Sequence, residues 1–257
     1  MKQIHKELKR IRHGIRRRVP LSWQLALRNA GNRLKCHKAA LPDPLQILWI
    51  NPNLIASSGR MFSHSKEIGR IVDGDWDMRR TTIENIPFYI GLRERFHNEL
   101  PWQETKYFQI FAKRFAGQDK QSVWGYTNMA EFEQRLEFLD ELYRSIRDEG
   151  YRTQQGSDGL IHDPVRHRGK GLQSTMTHTM THEIGCNIDR SGVFLLNSGI
   201  HRFTIARLLG LDRIPIQIIV RHRQWQTVRN QVASGQQNVV LPEGVSLDHP
   251  DLIDCRK

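Results

Sequence analysis

A glycine turn between an apolar segment and a helix-forming segment carries the residues best suited to chemistry. Ser198 and Gly199 come first, and His201 and Arg202 would then lie in the first turn of a helix that ends near Gly210. A glycine lets the backbone approach a ligand closely, and the N–H groups and dipole of a helix start favour an anion. Arginine adds a planar fork for phosphate oxygens. The pattern predicts a phosphate-binding turn, with an exposed arginine beside a strand-ending glycine as the structural alternative.

Two ionisable residues precede the strands that lead into this turn. His182 and Glu183 stand before a hairpin whose strands flank Asp189–Gly192. The hairpin would bring both side chains toward the turn, where Glu183 is a candidate general base and His182 a candidate proton-transfer or phosphate-contacting group. A zinc site at His178 and His182 is the weaker alternative, because the threonines around them disfavour the helix that this spacing needs.

An acidic run has the spacing of a calcium loop. Asp73, Asp75, Asp77 and Glu84 match positions one, three, five and twelve, but Met78 occupies the position that needs glycine. One of these carboxylates could instead hold Mg²⁺ on a bound nucleotide. A solvated acidic turn is the interpretation that we favour.

The positive charge of the chain is concentrated at one end. The formal net charge is +12, and residues 1–40 hold 12 Lys or Arg against the single acidic residue Glu7. The remainder carries 27 basic and 26 acidic residues and is nearly neutral. Apolar residues at helical spacing predict two short amphipathic helices in this basic arm, residues 1–41. They could bind nucleic acid or an anionic membrane surface, or pack on the domain itself.

Other compositional features bound the class of protein. No apolar run is long enough to span a membrane, and no signal-peptide pattern opens the chain. The three cysteines, Cys36, Cys186 and Cys255, form neither a disulfide framework nor a zinc ribbon. We therefore expect a cytoplasmic protein.

The remaining pattern predicts an α/β (α+β) domain at 42–234 and an irregular tail at 235–257. Residues 56–128 are expected to form a helical insertion, and 154–182 a polar loop. The expected strands are 47–50, 183–188, 193–196 and 214–220, and the expected helices are 88–97, 104–115, 130–149 and 223–232.

The Gly199-x-His201-Arg202 box, its helix and the following Ile-Pro strand resemble the ParB and sulfiredoxin superfamily. The resemblance implies a small mixed sheet with helices, and a box that holds nucleotide phosphates. A nucleotide such as ATP or CTP with Mg²⁺, or another phosphorylated small molecule, is then the expected ligand. The superfamily includes a kinase acting on free serine, so phosphotransfer and NTP hydrolysis both stay open.

The chain also departs from this family. Ile200 occupies the position of the reactive cysteine of sulfiredoxins, which argues against sulfinic acid repair. Ser198 replaces an aspartate that many relatives carry, which puts nuclease activity in doubt. Too few residues follow Val232 for the helix-turn-helix domain of ParB proteins. We therefore expect a nucleotide- or phosphate-binding domain, with nucleic-acid binding through the arm as the alternative.

Overall fold

The computed structural model describes residues 40–116, 126, 128–153 and 183–256, together with the single positions 23 and 30. Apart from Trp23 and Ala30, the predicted helices of the basic arm lie outside these residues. The polar loop at 154–182, with His178 and His182, lies outside them as well. The described part has a mixed α/β fold.

Seven strands of the described residues form one mixed sheet. Its order is β1-β7-β5-β6-β2-β4, and β3 also pairs with β7. The strands are β1 (Ile47–Ile50), β2 (Ser57–Ser58), β3 (Arg70–Val72), β4 (Thr81–Thr82), β5 (Ile184–Ile188), β6 (Phe194–Ser198) and β7 (Ile214–His222).

The predicted hairpin and the strand after it form the centre of the sheet. Strands β5 and β6 are antiparallel, and β7 pairs in parallel with β5. Every residue of β5 and β7 is buried, which explains why neither strand shows a regular alternation of apolar and polar residues. One end of these three strands therefore holds the first residue of β5, the last residue of β6 and the first residue of β7. We call this end of the strands the β6-exit edge.

The segment at 56–128 differs from the prediction of a helical insertion. Its strand β2 pairs in parallel with β6, and its strand β3 pairs in parallel with β7. These strands have only two or three residues, and β2 and β4 consist of serine and threonine alone. Strands this short and polar show no hydrophobic alternation, so the sequence pattern did not predict them.

Six helices in the described residues match the predicted helical segments or add to them. They are α1 (His64–Glu67), α2 (Pro87–Phe96), α3 (Lys106–Ala116), α4 (Met129–Glu149), α5 (Ile200–Leu208) and α6 (Arg223–Ala233). The side chain of Asn128 caps the start of α4 by accepting a hydrogen bond from the Glu131 N–H, and Gly150 follows the last residue of the helix.

Helix α5 lies between two hydrophobic clusters. Phe203 and Ala206 pack in the core of the sheet. Ile205 belongs to an aromatic-rich cluster built from α2, α3 and α4, in which the rings of Phe111 and Phe132 stack at 3.9 Å. Helix α5 is thereby packed on both sides.

The tail is more ordered than its sequence predicts. Pro250–Cys255 forms a 3₁₀ helix whose buried Asp251 accepts hydrogen bonds from Arg221 and Trp225 and pairs with Arg229. The prediction of an irregular tail is wrong for this segment, because its order depends on partners more than 20 residues away in sequence.

Candidate functional site

The glycine turn has the predicted order of strand, glycine and helix. Gly199 has φ 83° and ψ 24°, directly before Ile200 begins α5, and as a glycine it has no side chain with which to cap the helix. A Cβ at this position would lie 3.1 Å from the Cα of Ile184. Both the left-handed backbone and the close approach therefore require glycine here. The N–H groups at the start of α5 therefore receive no hydrogen bond from the side chain of the preceding residue, and such groups favour an anion.

Three consecutive residues at the start of β5 contact the turn. Glu183 pairs with Arg202, and Ile184 approaches Gly199. Gly185 is the register partner of Ser198, at a β-bulge. The β6-exit edge thus brings together four of the predicted site residues, which are Glu183, Ser198, Gly199 and Arg202.

Ser198 has a partner that the sequence did not indicate. Its Oγ lies 3.0 Å from Nδ1 of His64, the first residue of α1. A Cβ on Gly185 would lie 2.5 Å from Ser198 Oγ and 2.6 Å from His64 Cε1. The pair therefore fits against the sheet only because position 185 has no side chain. His64 lies in a polar stretch with no recognisable motif, and only the fold places it at the site.

The neighbouring residue Asn197 fixes the segment that carries His64. The Phe62 N–H donates to Oδ1 of Asn197 at 2.6 Å, and Nδ2 of Asn197 donates to the Phe62 carbonyl at 3.0 Å. Asn197 is buried, so both hydrogen bonds are shielded from water. The end of β6 thus holds residues 62–64 through two adjacent side chains.

Arg202 is held by a buried carboxylate. Its Nη1 lies 3.7 Å from Oε2 of Glu183, whose side chain is 0% exposed, whereas that of Arg202 is 19% exposed. The Tyr151 hydroxyl lies in the same cluster, where burial raises the pKa of Tyr151 against the opposing effect of the Arg202 charge. The positive charge of Arg202, in the first turn of α5, is thus balanced by the buried carboxylate of Glu183.

His201 points toward the helices. Its Nδ1 lies 3.1 Å from a guanidinium nitrogen of Arg135, and its Nε2 lies 3.2 Å from the Tyr107 hydroxyl. A guanidinium can only donate, so Nδ1 is the acceptor, and Nε2 carries the proton of the neutral ring. The structure therefore assigns His201 a contact between α5 and the helices α3 and α4, whereas its predicted phosphate contact gains no support from this orientation.

The acidic run is divided among three arginines. Asp75 and Asp77 both bind Arg190, Asp73 pairs with Arg223, and Glu84 pairs with Arg207. Arg190 belongs to the turn between β5 and β6. That turn lies at the far end of these five-residue strands, roughly 15 Å from the β6-exit edge. These carboxylates do not fit a calcium loop, and the Asp75–Asp77 pair does not reach a nucleotide bound at Gly199.

Metal binding and cysteine chemistry find little support in the part of the chain that the structure describes. There, no group of three or more His, Cys, Asp or Glu side chains is placed to hold a metal ion. Cys186 and Cys255 are buried, which raises the pKa of each thiol, that of Cys255 to about 11. Both are poor nucleophiles in that state. His178 and His182 lie outside the described residues.

Comparisons with protein-family models, with curated proteins and with solved structures find no match to this chain. None of the helices at 40–116, 128–153 and 183–256 combines the length and apolar character that crossing a membrane requires.

Proposed function

We propose that this chain binds a nucleotide or another phosphate ester at the first turn of α5. The observation that carries the proposal is the left-handed Gly199, which precedes α5 and offers no capping side chain of its own, beside the partly exposed Arg202. The peptide dipoles of the helix and the arginine charge both favour an anion there.

Glu183 gives Arg202 its orientation in this proposal. A carboxylate with no exposed surface is an unfavourable substrate contact, but it can hold a guanidinium at a fixed place. The predicted roles of Glu183 and His182 in proton transfer stay predictions. ATP or CTP remains the proposed ligand class. Mg²⁺ would be bound chiefly by the nucleotide phosphates, because the Asp75–Asp77 pair is committed to Arg190.

The proposal is tested by the thermal stability of the full chain in the presence of ATP or CTP, with and without Mg²⁺. A ligand at a hundredfold excess over its Kd stabilises the folded state by about 2.7 kcal/mol, so the melting temperature should rise. Arg202→Ala should abolish the rise. Arg223→Ala is the matched control, because Arg223 lies in the first turn of α6 and its ion pair with Asp73 is exposed. Absence of a shift in the wild type at millimolar nucleotide would contradict the proposal.

The second candidate is a nucleic-acid-binding module that uses the basic arm. The observation that favours it is the ratio of 12 basic residues to one acidic residue at 1–40. Deleting residues 1–39 should then abolish nucleic-acid binding, and the affinity of the intact chain should fall steeply with salt. The nucleotide-dependent thermal shift should survive the same deletion, which separates the two candidates.

A further inference from the structure

Ser198 and His64 form a hydroxyl–imidazole pair that phosphate binding alone does not require. The 3.0 Å separation of Oγ and Nδ1 is the distance at which a histidine can take the proton of a serine nucleophile. The segment carrying His64 is fixed by the two Asn197–Phe62 hydrogen bonds, so the pair is held in place before any ligand arrives.

The backbone next to the Ser198–His64 pair leaves room for both side chains. Gly185 faces them, and its missing side chain leaves the space that a Cβ would take from Ser198 Oγ and His64 Cε1. The register of β5 and β6 shifts between Gly185 and Cys186. Bulges of this kind often redirect a side chain next to an active site. Both Ser198 and His64 are half-buried.

Ser198 also has the right position relative to the proposed phosphate site. It is the residue immediately before Gly199, so its hydroxyl stands where β6 gives way to the first turn of α5. A phosphoryl group bound at that turn would lie next to this hydroxyl. The helix start and Arg202 would stabilise the negative charge that the group carries, which favours phosphoryl over acyl transfer at this pair.

We propose that Ser198 is a nucleophile that accepts the terminal phosphoryl group of a bound nucleoside triphosphate, with His64 as its general base. This inference rests on the proposed function. In the step, Oγ of Ser198 forms a bond to the terminal phosphorus, and the bond from that phosphorus to the bridging oxygen breaks. The hydroxyl proton passes to Nδ1 of His64. The products are phosphoserine at position 198 and a nucleoside diphosphate.

The test uses the full chain, Mg²⁺ and ATP or CTP labelled in the terminal phosphoryl group. After denaturing quench, intact-protein mass and peptide mapping report whether Ser198 carries phosphate. Wild type should gain one phosphoryl group on Ser198, and Ser198→Ala should gain none. His64→Asn keeps an amide that can hydrogen bond Ser198 but is no base at neutral pH, so labelling should slow by about a hundredfold or more. Ser63→Ala is the matched control in the same segment and should label as wild type does.

The thermal shift measured on the same proteins separates this inference from the proposed function. His64→Asn should keep the nucleotide-dependent shift, which shows that it folds and binds. Ser198→Ala removes a hydroxyl at the binding turn itself, so it serves only to locate the label. If the wild type shows the shift but gains no phosphate on Ser198, the assignment of Ser198 as a nucleophile is wrong and the binding proposal still stands. Equal labelling of wild type and His64→Asn overturns the role of His64. A wild type without any shift overturns both.

Discussion

The Ser198 hydroxyl and Nδ1 of His64 lie 3.0 Å apart although 134 residues separate them in sequence. The contact joins the end of β6 to the start of α1, and the bare backbone of Gly185 lies beneath both side chains. The glycine is therefore as important to this arrangement as the two residues that meet there.

Gly185→Ala should separate the Ser198–His64 pair. The added methyl would lie 2.5 Å from Ser198 Oγ and 2.6 Å from His64 Cε1, so one or both must move. We expect a loss of about 1–3 kcal/mol in the free energy of unfolding, measured by urea denaturation. Gly59→Ala is the control, because its tightest contact is the flexible Leu195 Cδ1 at 3.1 Å. Equal stability of wild type and Gly185→Ala would show that the pair is not packed as described.

Glu183 and Arg202 should depend on each other for stability. Glu183→Gln removes the negative charge next to Arg202, while Arg202→Ala removes the positive charge next to a fully buried carboxylate. Breaking a buried pair from one side costs about 3–5 kcal/mol, and the 19% exposure of Arg202 places the expected loss toward the lower value. A double-mutant cycle followed by urea unfolding measures the coupling. Strictly additive effects would mean that the two side chains do not interact.

Asp77 should make stability depend on pH in the acid range. Burial opposes its ionisation, yet the hydrogen bonds from Arg190 prevail and lower the pKa of Asp77 from 3.8 to about 2. A carboxyl whose pKa is lower in the folded state stabilises above the unfolded pKa and loses that contribution as pH falls through the folded pKa. The stability advantage of wild type over Asp77→Asn should therefore be full above about pH 4 and shrink toward pH 2.

Asp75→Asn is the matched control for this titration. Asp75 also binds Arg190, but its side chain is 82% exposed, so its removal should change stability by less than about 1 kcal/mol. Urea unfolding of the three proteins at several pH values checks both expectations. A stability difference between wild type and Asp77→Asn that does not vary from pH 5 to about pH 2 would contradict the assigned pair.

Tyr107 should stabilise the first turn of α5 through His201. Tyr107→Phe removes the hydroxyl to which Nε2 of His201 donates, at an expected cost of about 1 kcal/mol in the free energy of unfolding. Tyr143→Phe is the control, because the Tyr143 ring stacks on Phe96 at 4.2 Å and the substitution keeps that ring. If Tyr107→Phe and Tyr143→Phe lower the free energy of unfolding by the same small amount, the hydroxyl–imidazole contact does not contribute to stability.

Patterns that extend over many residues were sufficient to predict the main elements of the fold. The apolar run at Ile214–His222 and the helical stripe with its end signals at Met129–Glu149 appear in the structure close to their predicted bounds. The Gly199 turn was predicted for the same reason, because strand, glycine and helix succeed one another locally. Such signals are local in the sequence, so recognising them requires no knowledge of tertiary contacts.

Features that depend on distant contacts were not predictable. His64 has no motif around it, and its approach to Ser198 arises from the pairing of Asn197 with Phe62. His201 was predicted to face a phosphate, but Arg135 and Tyr107 lie on helices whose packing against α5 the sequence does not encode locally. The acidic run matched a calcium spacing, yet Arg190 and two other arginines bind its carboxylates.

The most direct test of a phosphate site at α5 is an NMR titration of the isotope-labelled full chain with MgATP and MgCTP. The amide resonances of Gly199, Ile200 and Arg202 should move the most and saturate with the ligand. The amides of Arg223 and Gln224, at the start of α6, should stay unchanged and serve as the internal control. If none of the α5 amides responds, or if the largest changes fall elsewhere in the chain, the first turn of α5 is not the binding site.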